Sequence, residues 1–147
     1  MDEMLNKYPY MPIVFIMAFT VVLFVALSFF SGWRKLANNY QRMNAFDGKK
    51  FIFQSARIGG INYNNCFTFG INNRELYIGM MFPINKLGHP DMVIPLNEIT
   101  GKEGRGMMLE YVDLTFSGVE KAKIRVSKAL ADKIERGSNN IWKYKRI

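Results

Sequence analysis

His89 is the only histidine and Cys66 the only cysteine in a chain of 147 residues. The side chains that most often act as bases, nucleophiles or soft-metal ligands are therefore present once each. One Cys forms no internal disulfide, and one His with one Cys falls short of the three or four N/S ligands of a zinc site. The 12 acids are scattered, without the clustering that an oxygen-only metal site needs. A Ser-His-acid triad would require His89 as its base, yet no nucleophile-elbow sequence surrounds Ser31, Ser55, Ser117, Ser127 or Ser138. Cys66 lies in NNCFTFG, a strand-like run in which a small buried thiol is the ordinary role. GKEGRG, Gly101 to Gly106, invites comparison with a phosphate-binding loop. The Walker pattern places Lys and Ser or Thr directly after its last Gly and opens a helix; here Met107 and Met108 follow and a strand begins, so the segment reads as a hairpin loop. No pair of carboxylates stands at a spacing that faces them together. Neither an enzyme nor a cofactor or metal is expected.

The basic residues carry more information. Lys and Arg number 20 against 12 acids, a net charge of +8, so a polyelectrolyte partner would be nucleic acid or an anionic membrane face. Trp33, Arg34, Lys35 and Arg42, then Lys49 and Lys50, follow a long apolar run. Lys121, Lys123 and Arg125 alternate with Ala122, Ile124 and Val126, and WKYKRI ends the chain. No helix-turn-helix or RNA-binding motif accompanies these charges, so nucleic acid is not the expected partner.

The apolar run PIVFIMAFTVVLFVALSFF, Pro12 to Phe30, has no charge in 19 positions. As a helix it is about 28 Å long, close to the hydrocarbon thickness of a bilayer. A buried core helix would show a polar face, and this run shows none. A cleaved signal peptide is the other alternative, because Ala26-Leu27-Ser28 loosely resembles a cleavage site. Against it stand two acids before the run, where a basic segment belongs, and the run's length. The expectation is an uncleaved anchor. Basic residues follow it and a slightly acidic segment precedes it, which orients residues 1–11 outward and the rest toward the cytoplasm, at the inner membrane. Residues 31–147 hold 19 basic and 10 acidic residues, net +9. With no breaker after Gly32, the helix is expected to continue to Met43, so that residues 12–43 form one element. Trp33 would then sit at the headgroups, and Arg34, Lys35, Arg42, Lys49 and Lys50 would lie near anionic lipid.

From residue 48 the pattern changes to short runs of β-branched and aromatic residues divided by Gly, Asn, Ser and Pro. Six strands are read, at 49–58, 65–71, 75–82, 91–99, 107–116 and 121–127. In the last, Ala122, Ile124 and Val126 face inward, and Lys121, Lys123 and Arg125 face outward. Pro95, which lacks an amide hydrogen, implies an edge strand or a bulge. SKALADKIERG closes the domain as a helix capped by Ser127, and 138–147 is left as a basic tail. Gly88-His89-Pro90 reads as a connector, with the edge near Pro95 as the first place to seek a docking partner.

The phrase FGINNRELYIGMMF followed by MVIPLNEIT resembles the bacterial pleckstrin-homology-like and GRAM-like domains, through Asn72, Asn73, Leu76, Tyr77, Ile78, Ile94, Pro95 and Ile99. The likeness covers about residues 50 to 137. It implies an α+β domain, a small antiparallel β-barrel or sandwich closed by a C-terminal helix over residues 48–137. It also implies seven strands where six are read, so that one either lies around 59–64 or is absent. Members of these families serve as lipid binders, protein adaptors and structural modules. The function expected is that of a non-catalytic single-pass membrane protein acting as an interaction module or accessory subunit of a membrane complex. An anionic-lipid sensor is the alternative. Membrane lipids and a membrane-protein partner are the expected contacts, with His89, Pro95, Lys121, Lys123 and Arg125 as docking residues.

Overall fold

Residues 11–30 contain no charge and no glycine, and Pro12 sits in the first helical turn, where its missing N–H leaves no intrahelical acceptor unserved. They form one helix, α2 (Met11–Phe30), after a short α1 (Asp2–Lys7). The computed structural model describes residues 1–41 and 45–147. Among these, α2 is the one helix long and apolar enough to cross a bilayer. Its middle side chains, Phe15 and Phe19 among them, are exposed.

The helix does not run on to residue 43. Gly32 takes φ 82°, the left-handed region that a glycine enters without a Cβ clash, and a separate helix, α3 (Trp33–Tyr40), begins after it. Burial explains the break. Trp33, Leu36, Ala37 and Tyr40, spaced three and four apart, form one apolar stripe that is buried in the domain. Trp33 is thus a core residue, its indole donating to the Pro90 carbonyl at 3.0 Å, and not an anchor among headgroups. Arg42 and Met43 lie outside the described residues.

Seven strands follow: β1 (Lys49–Ile58), β2 (Ile61–Ile71), β3 (Glu75–Met80), β4 (Met92–Pro95), β5 (Ile99–Arg105), β6 (Glu110–Phe116) and β7 (Val119–Ser127), then α4 (Lys128–Gly137). They form one antiparallel sheet in the order β4-β3-β2-β1-β7-β6-β5. The sheet is not closed, which corrects the expectation of a barrel. β4 is only four residues long and ends on Pro95, which cannot donate to a further ladder. The free edge of β5 is taken instead by the chain's end: Lys145 N donates to Gly101 O at 2.7 Å, and Glu103 N donates to Lys145 O at 2.8 Å. Pro95 does mark an edge strand, as its missing amide hydrogen implies.

The seventh strand is β5, not the 59–64 segment; residues 61–64 belong to β2. Alternation places Phe67, Phe69, Ile78, Ile94, Leu114 and Ile124 in the core, covered by Leu130, Ala131 and Ile134 of α4. Ser127 caps α4, its Oγ accepting from Leu130 N at 3.2 Å. Nor is 138–147 a free tail. Trp142 and Tyr144 are buried, and the Trp142 indole donates to Ile99 O at 3.0 Å. Arg146 holds Glu135 through two bonds, of 3.1 and 2.6 Å. Burial and a bond to Asp132 push the Tyr144 hydroxyl pKa up to about 12.

Candidate functional site

β7 exposes Lys121 and Lys123 and half-exposes Arg125, while the residues between them are buried. Side chains two apart on a strand lie about 6.6 Å apart on one face, so the alternation alone builds a basic row. β1 runs beside it, and Arg57 stands directly opposite Arg125 in the β1–β7 register. Lys35, in the first turn of α3, reaches the same place because the Ser31–Gly32 break sets α3 against the domain. Together with the Gly59–Gly60 turn and the exposed Phe29 and Phe30 at the end of α2, these residues enclose a cleft of about 430 Å³. Its lining contains five basic residues and no acid.

The close fit of α2 against the domain depends on glycine at one point. Gly59 has φ 57°, and a Cβ there would lie 2.5 Å from the Ser31 carbonyl oxygen. Any larger residue would push the end of α2 away from the β1–β2 turn.

The charges in the cleft are not equivalent. Asp113 accepts from Arg125 Nε at 2.8 Å and Nη2 at 3.2 Å, and the guanidinium lies 3.7 Å from the Tyr111 ring. That pairing holds the Arg125 pKa above its ordinary value. Lys123 stands 3.8 Å from the same carboxylate. Among the described residues no carboxylate pairs with Lys35, Arg57 or Lys121. Two arginines directly across a strand pair repel, and Asp113 compensates only one of them. The arrangement leaves three unneutralised cations around an open concavity, which attracts an anion with several acceptor oxygens.

The structure therefore brings together Lys35, Lys121, Lys123 and Arg125 and adds Arg57. The sequence signal for Arg57 is its outward place between the inward Ala56 and Ile58, next to a Gly-Gly turn; its neighbour Arg125 comes from the far end of the chain. Lys49 and Lys50 are not part of the site. They stand at the other end of β1, with Lys50 about 23 Å from Arg57 along an extended strand, and Lys50 Nζ rests 4.8 Å over the Tyr77 ring. Arg34 does not line the cleft; its guanidinium lies over the Phe29 ring at 4.2 Å, and its Nε donates to Ser28 Oγ at 3.3 Å. Trp33 and Arg42 fall as described above.

His89 is fully buried and so cannot be a docking residue on the surface. Its ring packs against Trp33, Tyr63 and Phe24 at 5.3, 5.7 and 6.5 Å. Nε2 lies 3.2 Å from the Tyr63 hydroxyl and Nδ1 lies 3.3 Å from Leu87 O. Burial lowers the His89 pKa, the bond to Leu87 opposes that, and the nearby Arg34 charge lowers it further. Glu98 is engaged elsewhere, accepting from Tyr40 at 3.4 Å and Ser117 at 3.3 Å, so His89 and Glu98 do not converge. Pro95 is half-buried at the end of β4, beside a shallow depression shared with Asn39, Gln41 and Val93. Neither a protein-family model nor a curated protein matches the chain.

Proposed function

We propose that the protein is a non-catalytic, single-pass membrane module, with residues 1–11 outside and the domain on the cytoplasmic face, whose cleft holds the phosphate group of anionic lipids. The observation that carries this reading is the acid-free lining of the cleft directly beside the end of the apolar helix. A headgroup phosphate offers acceptor oxygens to Lys35, Arg57 and Lys121, and the exposed Phe29 and Phe30 match the acyl region next to it. Anchoring supplies the rest: a tethered domain meets lipid at high effective concentration, so modest affinity suffices for occupancy. Seven antiparallel strands followed by the single helix α4 support the likeness to pleckstrin-homology-like and GRAM-like domains.

The test uses the full chain in lipid nanodiscs. Hydrogen exchange at residues 57–60 and 121–125 is expected to slow as phosphatidylglycerol replaces phosphatidylcholine, and to recover with added salt. Each of Lys35→Ala, Arg57→Ala and Lys121→Ala should weaken the lipid preference about fivefold, the equivalent of about 1 kcal/mol per charge near an anionic surface. Identical exchange in both lipids would remove the lipid reading.

A second reading, as an accessory subunit of a membrane complex, is favoured by a different observation. Met107, Met108 and Leu109 at the tip of the β5–β6 hairpin are all exposed, and three adjacent apolar side chains in water are an interaction signal. Purification in mild detergent with mass spectrometry should recover a stoichiometric partner that Met108→Asp releases. Recovery of the protein alone would count against it.

A further inference from the structure

The last third of α2 is not free to sit in lipid on all sides. Ser28 is fully buried, and a Cβ at Gly88 would lie 2.7 Å from Ser28 Oγ. The Phe24 ring stands edge-on to His89. The segment Gly88-His89 is therefore level with Phe24 to Ser28, which lie about 3 to 9 Å back from the helix end at Phe30. The helix has 20 residues, about 30 Å and a match to the hydrocarbon layer, whereas the part before Phe24 measures only about 20 Å. If α2 bridges a bilayer, the part of the domain that grips Phe24 to Ser28 must lie at the lipid boundary.

The loop that leads into Gly88 is built for that position. Ile84 anchors it in the core, while Phe82 is 75% exposed and Met81 40% exposed. Lys86 N donates to Pro83 O at 3.0 Å, and Leu87 N donates to Ile84 O at 2.9 Å, so the loop is a tight turn. Lys86 is exposed on the same turn. An aromatic ring and a lysine on one turn suit the boundary between acyl chains and phosphates.

We propose that the turn from Met81 to Leu87 enters the headgroup layer of the membrane that α2 crosses, with Phe82 reaching the acyl boundary and Lys86 the phosphates. The proposal rests on the membrane reading of α2 given above. It gives the domain a second attachment at a fixed depth, and this attachment holds the basic cleft at the height of the phosphates.

Nitroxide labels test this on the full chain in phosphatidylcholine and phosphatidylglycerol vesicles, in a Cys66→Ser background. Labels are placed one at a time through Phe82→Cys, Phe15→Cys and Asn73→Cys, all at exposed positions. The Phe15 label, at mid-helix, should favour oxygen over an aqueous nickel complex. The Asn73 label, in the β2–β3 turn, should show the reverse. The Phe82 label is expected to favour oxygen, at a depth shallower than Phe15. A Phe82 label that behaves like Asn73 while Phe15 remains deep overturns the proposal and leaves the anchor intact. A label shielded from both reagents means a protein contact and also overturns it. An aqueous Phe15 label removes the membrane reading and the proposal together.

Discussion

His89 shows how far a single residue can be read without its neighbours. Its place between Gly88 and Pro90 marks a connector, which is where the chain puts it, but the three rings around it come from α2, α3 and β2. No local pattern announces that assembly. Because burial lowers its pKa below 6.5, the unfolded chain takes up a proton that the folded chain resists. Stability is therefore fully present above about pH 6.5 and falls as pH drops from there toward the lower folded value. Urea unfolding in mild detergent should show this loss between pH 7 and pH 5, and His89→Gln should flatten it while lowering stability at pH 7 by about 1–3 kcal/mol through lost packing and the Tyr63 bond. A slope unchanged in the variant would assign the pH dependence to other groups. Arg57 behaves in the opposite way. Removing it relieves the repulsion with Arg125, so Arg57→Gln should leave stability equal or up to about 1 kcal/mol higher while weakening the response to anionic lipid. A large loss of stability would mean that Arg57 has a structural role instead.

At the level of elements, strong periodicity was legible and context was not. β3, β6, β7 and α4 follow from alternation, from the Ser127 cap and from turn residues, all of which are local. β5 could not be read because TGKEGR has no apolar run. It is a strand through its pairing with β6 and because Trp142 and Tyr144 lie over Gly101. The break between α2 and α3 has the same character: Gly32 is visible in the sequence, but the reason to turn there is the burial of Trp33 and Leu36 by distant strands. Two substitutions separate these effects. Nothing lies within 4 Å of a Cβ at Gly32, so Gly32→Ala tests backbone conformation alone and should cost about 1–2 kcal/mol. Trp142→Ala leaves a cavity over β5 and should cost about 3–5 kcal/mol in a denaturant titration. A neutral Trp142→Ala would show that the chain's end contributes nothing to the sheet.

For the molecule as a whole, a helix long and apolar enough to cross a bilayer and a β-rich domain followed by one helix were readable from composition and spacing, because hydrophobic length and period-two patterns do not depend on partners. The joint between α2 and the domain was not, since it depends on α3 joining the core. That joint changes how the domain can be isolated. A chain starting at residue 44 lacks Trp33, Leu36 and Tyr40 and should fail to fold, whereas one starting at residue 31 keeps α3 and should give a cooperative thermal transition. A folded fragment from residue 44 would mean that α3 is only an attachment.

The strand order also bears on how the protein is made. β1 is the first strand made, after α2 and α3, yet on one edge it pairs with β7, and residues 56–58 meet 124–126, roughly 70 residues further along. At about 5–20 residues per second, translation leaves that edge of β1 without its neighbour for roughly 4 to 14 s. If α2 inserts as proposed, a bulged strand carrying the exposed Ile52 and Phe53 waits through this interval beside the membrane. Until β7 arrives, that edge is open to pairing with any other extended segment nearby.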